Sequence, residues 1–74
     1  MSIPVDNASD RIIRIREVMH LAGEGRTTVY GKIKTGNFPK QRKLGAKSVG
    51  WSYLEIQEYV RITLAGGEYI VPEE

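Results

Sequence analysis

Seven basic side chains carry the chemistry most visible in this chain. Arg26, Lys32, Lys34, Lys40, Arg42, Lys43 and Lys47 fall between Gly25 and Leu54 with no acid among them, a local charge of +7 in a chain of net charge +2. The flanks carry the opposite balance, with three arginines against four acids up to Glu24 and one arginine against five acids from Glu55 onward. A solvated surface ordinarily mixes both signs, so a stretch this long without an acid points to a polyanionic partner. Catalysis is poorly supplied by comparison. There is one histidine, no cysteine, and no glycine-rich loop carrying the lysine and serine or threonine of a phosphate cradle. His20 has no second histidine or cysteine at ligand spacing, so neither a metal nor a cofactor is expected. A binding module, not an enzyme, and one without a small-molecule substrate, is the class these residues favour.

Seventy-four residues allow one small domain with a thin stability margin, and with no cysteine no disulfide can supplement its core. No apolar run approaches the ~20 residues that span a bilayer, and the first residues lack the apolar core of a signal peptide. A cytoplasmic location without membrane contact is expected.

The elements that must position the basic residues can be read from periodicity and punctuation. Residues 1–10 show no period and read as a flexible leader. Arg11-Ile12-Ile13-Arg14 suits an extended lead-in that pins the chain to the body. Ile15, Val18, Met19 and Ala22 fall on one face of a first helix, which Gly23 ends. A second helix is expected from Arg26 or Thr27 to about Lys34. Val29, Tyr30 and Ile33 are its apolar residues, and Arg26, Thr28, Lys32 and Lys34 point outward. Thr35-Gly36-Asn37 terminates it, and Phe38-Pro39 starts an extended segment. Two short helices joined by a tight turn, the second cationic outside, have the spacing of a helix-turn-helix.

From Lys40 to Trp51 the pattern turns to a basic hairpin with its tip at Gly45-Ala46-Lys47-Ser48, and a basic hairpin directly after a helix-turn-helix is a wing. Ser52 and Glu55 form a capping box for a third helix, with Ile56, Tyr59, Val60, Thr63 and Leu64 on one face until Gly66-Gly67 stops it. The fold expected is mainly α with a small β-hairpin, a winged helix-turn-helix over residues 11–66. Phe38, Leu44, Val49, Trp51, Ile56, Tyr59 and Val60 are its expected core. Residues 67–74 form a C-terminal tail, uncoupled from the domain by the two glycines. Its apolar triplet Tyr69-Ile70-Val71 can dock back or await a partner.

These residues resemble the AlpA family of short prophage-encoded DNA-binding proteins, relatives of phage excisionases with a MerR-like winged helix-turn-helix. The likeness rests on Ile15-Arg16-Glu17-Val18, Ala22-Gly23, Arg26-Thr27-Thr28-Val29-Tyr30, Ile33-Lys34-Thr35-Gly36-Asn37-Phe38-Pro39-Lys40, Lys43-Leu44-Gly45, Val49-Gly50-Trp51 and Glu55-Ile56. Gly-x-Phe-Pro followed by the tryptophan twelve residues after the proline is its most specific part. Two positions depart from the family pattern. Glu24 stands where a small apolar residue usually plugs the angle between the helices, and Gly31 stands where a recognition helix often carries arginine. The resemblance implies sequence-specific binding of double-stranded DNA by a prophage-type transcription regulator or excision factor. An integrase, or sister protomers on adjacent sites, are the implied protein partners.

Each expected contact has a structural alternative. Arg26, Thr27 and Thr28 open the recognition helix, where side chains reach base edges, although Thr27 also suits a helix cap. Arginine supplies the commonest specific base contact, to guanine O6 and N7. The Tyr30 hydroxyl suits a phosphate and its ring suits the core wall. Lys32 is counted with the outward cations, and Lys34 also complements the helix dipole. Lys40, Arg42, Lys43 and Lys47 would meet phosphate or the minor groove, although lysines also protect open strand edges. An RNA- or ribosome-associated module is the alternative from another class. RNA readers usually show several aromatics on a sheet or a Gly-x-x-Gly clamp, and neither occurs here.

Overall fold

Ile12–Ile13 forms β1, the first strand of a computed structural model that describes residues 10–72. The leader expected over 1–10 therefore lies outside the described residues except for Asp10. Helix α1 (Ile15–Ala22) buries Val18 and half-buries Ile15, Met19 and Ala22, the face its spacing predicts. Gly23 ends it with φ 70°, a left-handed conformation that a side chain would oppose. Helix α2 (Arg26–Thr35) follows a turn at Glu24-Gly25 and ends at Gly36 with φ 84°. The hairpin consists of β2 (Arg42–Lys43) and β3 (Val49–Ser52), and α3 (Tyr53–Leu64) completes three helices plus a wing.

The wing is more than a two-stranded hairpin. β1 adds to its inner edge, so β3 is the central strand of an antiparallel sheet in the order β1-β3-β2. Ile12 faces Ser52 and Ile13 faces Trp51 on one side, while Arg42 faces Gly50 and Lys43 faces Val49 on the other. The sequence marks Arg11–Arg14 only as a lead-in, because two paired residues leave no period to read. Gly50 is the tight point of the sheet. A Cβ there would lie 2.7 Å from Ile12 Cγ2, 3.0 Å from Leu44 Cδ1 and 3.1 Å from the Ile13 carbonyl oxygen, so any side chain would force these neighbours to shift.

The core gathers Ile13, Val18, Val29, Phe38, Trp51, Ile56, Tyr59 and Tyr69. Trp51 is fully buried, and its indole N–H donates to the Pro39 carbonyl at 3.1 Å, tying the Phe-Pro segment to the central strand. Phe38 packs against Tyr59 with ring centres 4.5 Å apart. Leu44, expected in the core, is 38% exposed, because it lies over Gly50 on the outer face of the sheet.

The expected uncoupling of the tail is not observed. Gly66, with φ 86°, turns the chain back, and the Tyr69 ring is buried against Tyr59 at 5.9 Å. Asn37 Nδ2 donates to the Tyr69 carbonyl, and the Val71 N–H donates to the Gly36 carbonyl. The segment thus closes over the C-terminal end of α2. Of the apolar triplet only Ile70 is left largely exposed.

At the start of α3, Ser52 Oγ accepts from the Glu55 N–H as the capping box predicts. Asp10 adds what the sequence does not announce. Its carboxylate accepts from Ser52 Oγ at 2.8 and 2.9 Å and from the Leu54 N–H at 3.1 Å, which puts a negative charge at the positive end of the helix. The Leu54 N–H first holds the Asp10 carboxyl below its ordinary value, burial opposes it, and the Ser52 hydroxyl and the Arg11 N–H add to the lowering.

Candidate nucleic-acid interface

Helix α2 has a small apolar footprint, which is why it can present so much of its surface. Val29 is its one buried residue, with Tyr30 and Ile33 half-buried beside it. Arg26, Thr27, Thr28, Gly31, Lys34 and Thr35 are all exposed. The ten residues of α2 make a rod about 15 Å long and, with side chains, about 10–12 Å across, a diameter that fits a groove about 12 Å wide.

The two helix starts are built differently. The N-cap of α2 is Gly25, which offers no side-chain cap, and there is no acid in the first turn. Thr27 lies one residue inside the helix and does not cap it. Its alternative structural role is thereby removed. Among the described residues no side chain caps the first N–H groups of α2, and such a terminus favours anions.

Among the expected contacts, the structure separates the paired from the unpaired. Arg26, Lys34, Lys40, Lys43 and Lys47 are exposed and form no ion pair among the described residues. Lys34 and Lys40 line one shallow cleft at the C-terminal end of α2, beside Gly36, Val71 and Pro72. Arg26, Thr27 and Thr28 stand at the other end of the helix. Lys43 and Lys47 lie on the hairpin and its tip, where the Leu44 N–H donates to the Ser48 carbonyl at 2.8 Å to close the turn.

Arg42 and Lys32 are committed elsewhere. Arg42 pairs with Glu55 of α3, anchoring the wing to the helix that follows it, although its side chain remains 61% exposed. Lys32 departs furthest from the outward position expected of it. It is half-buried, and its ammonium donates to Glu24 Oε2 at 2.6 Å and to the Tyr59 hydroxyl at 2.8 Å. Tyr30 is also half-buried, with its ring edge-on to Trp51 at 6.2 Å, so it walls the core with its body.

Glu24 and Tyr59 are the structural partners that sequence reasoning missed. Glu24 stands out in the sequence only as an unexpected residue in the turn, and no local spacing links it to Tyr59, thirty-five residues away.

Residues 11–64 match the family model described as the prophage CP4-57 regulatory protein AlpA. An uncharacterised protein of Enterobacteria phage P4, ORF88, is 41% identical to the chain over 66 residues, 89% of this chain and 74% of the relative. The DNA-binding transcriptional activator AlpA of Escherichia coli strain K12 is 39% identical over 56 residues, 68% of this chain and 80% of the relative. No solved structure matches the chain.

Proposed function

The chain belongs to the AlpA family of prophage regulatory proteins, and from that premise we propose that it is a sequence-specific double-stranded DNA-binding regulator. The observation that carries this reading is the set of five cations, Arg26, Lys34, Lys40, Lys43 and Lys47, unpaired among the described residues, on an exposed α2 and its wing with no acid between them in sequence. Helix α2 enters the major groove, with Arg26, Thr27 and Thr28 at base edges and a phosphate near its uncapped N-terminus. Lys34, Lys40, Lys43 and Lys47 take phosphates. Arg42 joins them where its exposed guanidinium swings from Glu55, and Tyr30 offers its hydroxyl at the margin.

Transcription control is the task we favour, because the E. coli relative is named a DNA-binding transcriptional activator. Excision would use the same DNA surface and would require an integrase or sister protomers on adjacent sites as well. Either task belongs in the cytoplasm, and no helix among the described residues is long and apolar enough to cross a membrane.

The test begins with a duplex selected from a random pool and an unrelated duplex of equal length. Four lysines on phosphates, with Arg42 and Arg26 adding up to one each, give a slope of log affinity against log salt between about −3.5 and −5.5. A slope shallower than about −2 overturns the assignment of the basic surface. Arg26→Ala should cost about 1–3 kcal/mol on the selected duplex and much less on the unrelated one. Equal losses would make Arg26 a backbone contact. Tighter binding to structured RNA than to either duplex would favour the RNA module instead.

A further inference from the structure

Glu24, Lys32 and Tyr59 form a closed ring that joins the turn, α2 and α3. The Lys32 ammonium donates to Glu24 at 2.6 Å and to the Tyr59 hydroxyl at 2.8 Å, and that hydroxyl donates back to Glu24 at 3.0 and 3.2 Å. The ammonium also stands 5.5 Å from the centre of the Tyr59 ring. Tyr59 itself is buried, 3% exposed, with Phe38 and Tyr69 packed against its ring. The ring of hydrogen bonds therefore ties α2 to the aromatic part of the core. The Lys32 and Glu24 side chains are 37% and 20% exposed, so the pair is partly shielded from water. Charge-assisted hydrogen bonds of this kind are shorter and stronger than neutral ones.

Because α2 fully buries only Val29, with Tyr30 and Ile33 half-buried beside it, apolar packing constrains its rotation and tilt less than it does for a deeply buried helix. We propose that the Glu24–Lys32–Tyr59 ring is a positioning latch for the recognition helix, and that Lys32 serves DNA recognition by orienting α2, without touching DNA. The Glu24 carboxylate first, and the Tyr59 hydroxyl second, hold the Lys32 ammonium above the ordinary lysine value, so the cation persists throughout the physiological range.

This inference rests on the DNA reading, and salt dependence tells a latch from a contact. A phosphate contact contributes about −0.9 to the salt slope, while a lysine already neutralised by Glu24 contributes nothing. The experiment measures binding of wild type, Lys32→Met, Glu24→Gln, Tyr59→Phe and Lys34→Met to the selected and unrelated duplexes over a range of salt. Lys34→Met should make the slope shallower by about one. Lys32→Met and Tyr59→Phe should leave it unchanged, and all three latch variants should lose about tenfold on the selected duplex and under about threefold on the unrelated one. Glu24→Gln combined with Lys32→Met should lose no more than either alone, because both remove the same ring.

A second measurement needs no DNA. Residual dipolar couplings of the free protein should show α2 reoriented or averaged relative to α3 in Tyr59→Phe, which keeps the buried ring and removes only its hydroxyl. A Lys32→Met slope shallower by about one, with equal losses on both duplexes, would make Lys32 a phosphate contact and overturn the latch. Unchanged couplings together with an unchanged specificity ratio in Tyr59→Phe would also overturn it. A wild-type protein that binds no duplex would overturn the DNA reading, and the couplings would then decide the latch.

Discussion

Gly31 lies on the exposed face of α2, and a Cβ built on it meets nothing within 4 Å. Nothing inside the domain requires a glycine there, although glycine in an exposed helix costs about 1 kcal/mol against alanine. Gly31→Ala should therefore raise stability by about that amount, or roughly 4–8 °C in Tm for a domain of this size, as measured by thermal unfolding. The same methyl group, placed between Thr27, Thr28, Lys34 and Thr35, should weaken DNA binding if α2 beds closely in the groove. A variant that is more stable and binds equally well would place the contact on the wing and the start of the helix. At this scale the sequence was legible wherever type alone decides. The acid-free block needs no geometry to be seen, and neither does Trp51 as a core residue. Lys32 was not legible, because its partners come from a turn and from a helix remote in sequence. Spacing along α2 puts it beside other cations, and only the fold reveals that Glu24 already neutralises it.

The helices differ in how their ends are satisfied, and that difference separates scaffold from interface. α3 carries Ser52, Glu55 and Asp10 at its start, whereas α2 starts at Gly25 with no side-chain cap. Ser52 and Glu55 are legible from their spacing of three. Asp10 is not, because it reaches Leu54 across forty-four residues, carried there by the pairing of β1 with β3. The Asp10 carboxyl titrates below its ordinary value of 3.8, held down first by the Leu54 N–H. A depressed folded-state pKa means that its contribution is fully present above 3.8 and is lost as the pH falls through the lower, folded value. Asp10→Asn keeps an acceptor for the Leu54 N–H but removes the charge and the titration. Wild type should be more stable than Asp10→Asn above pH 3.8, by about 0.5–1 kcal/mol for so exposed a group, and the difference should shrink below 3.8 and vanish once the pH is under the lower, folded value. A difference that persists undiminished in acid would show that the contribution of Asp10 does not depend on its charge.

Viewed whole, the molecule recruits its last aromatic core residue from beyond the family match, which ends at residue 64 while Tyr69 is buried at 9% exposure. A domain of this size has a stability of only about 3–10 kcal/mol, so one aromatic side chain weighs heavily. The tail also touches function indirectly. It hydrogen-bonds to Gly36 and Asn37 at the C-terminal end of α2, and Val71 and Pro72 line the cleft shared by Lys34 and Lys40. Two glycines before a short apolar triplet read equally well as a hinge to a free segment, which is why the sequence left this choice open. Gly66 resolves it by turning the chain back toward Tyr59. Tyr69→Ala should cost about 2–3 kcal/mol, lowering Tm by some 10 °C or more, since it empties a buried site against Tyr59. Tyr69→Phe should be nearly neutral, because the hydroxyl has no hydrogen-bond partner among the described residues and the ring carries the packing. Deleting residues 67–74 should match Tyr69→Ala in stability and also loosen the end of α2, seen as faster amide exchange at Ile33 through Asn37. At a temperature where the truncated protein remains folded, its salt slope should stay close to wild type, because every unpaired cation of the interface is retained. A truncation that leaves Tm unchanged would mean that the tail spends little time docked in solution. A truncation that keeps the fold but flattens the salt slope would make the tail part of the DNA surface itself.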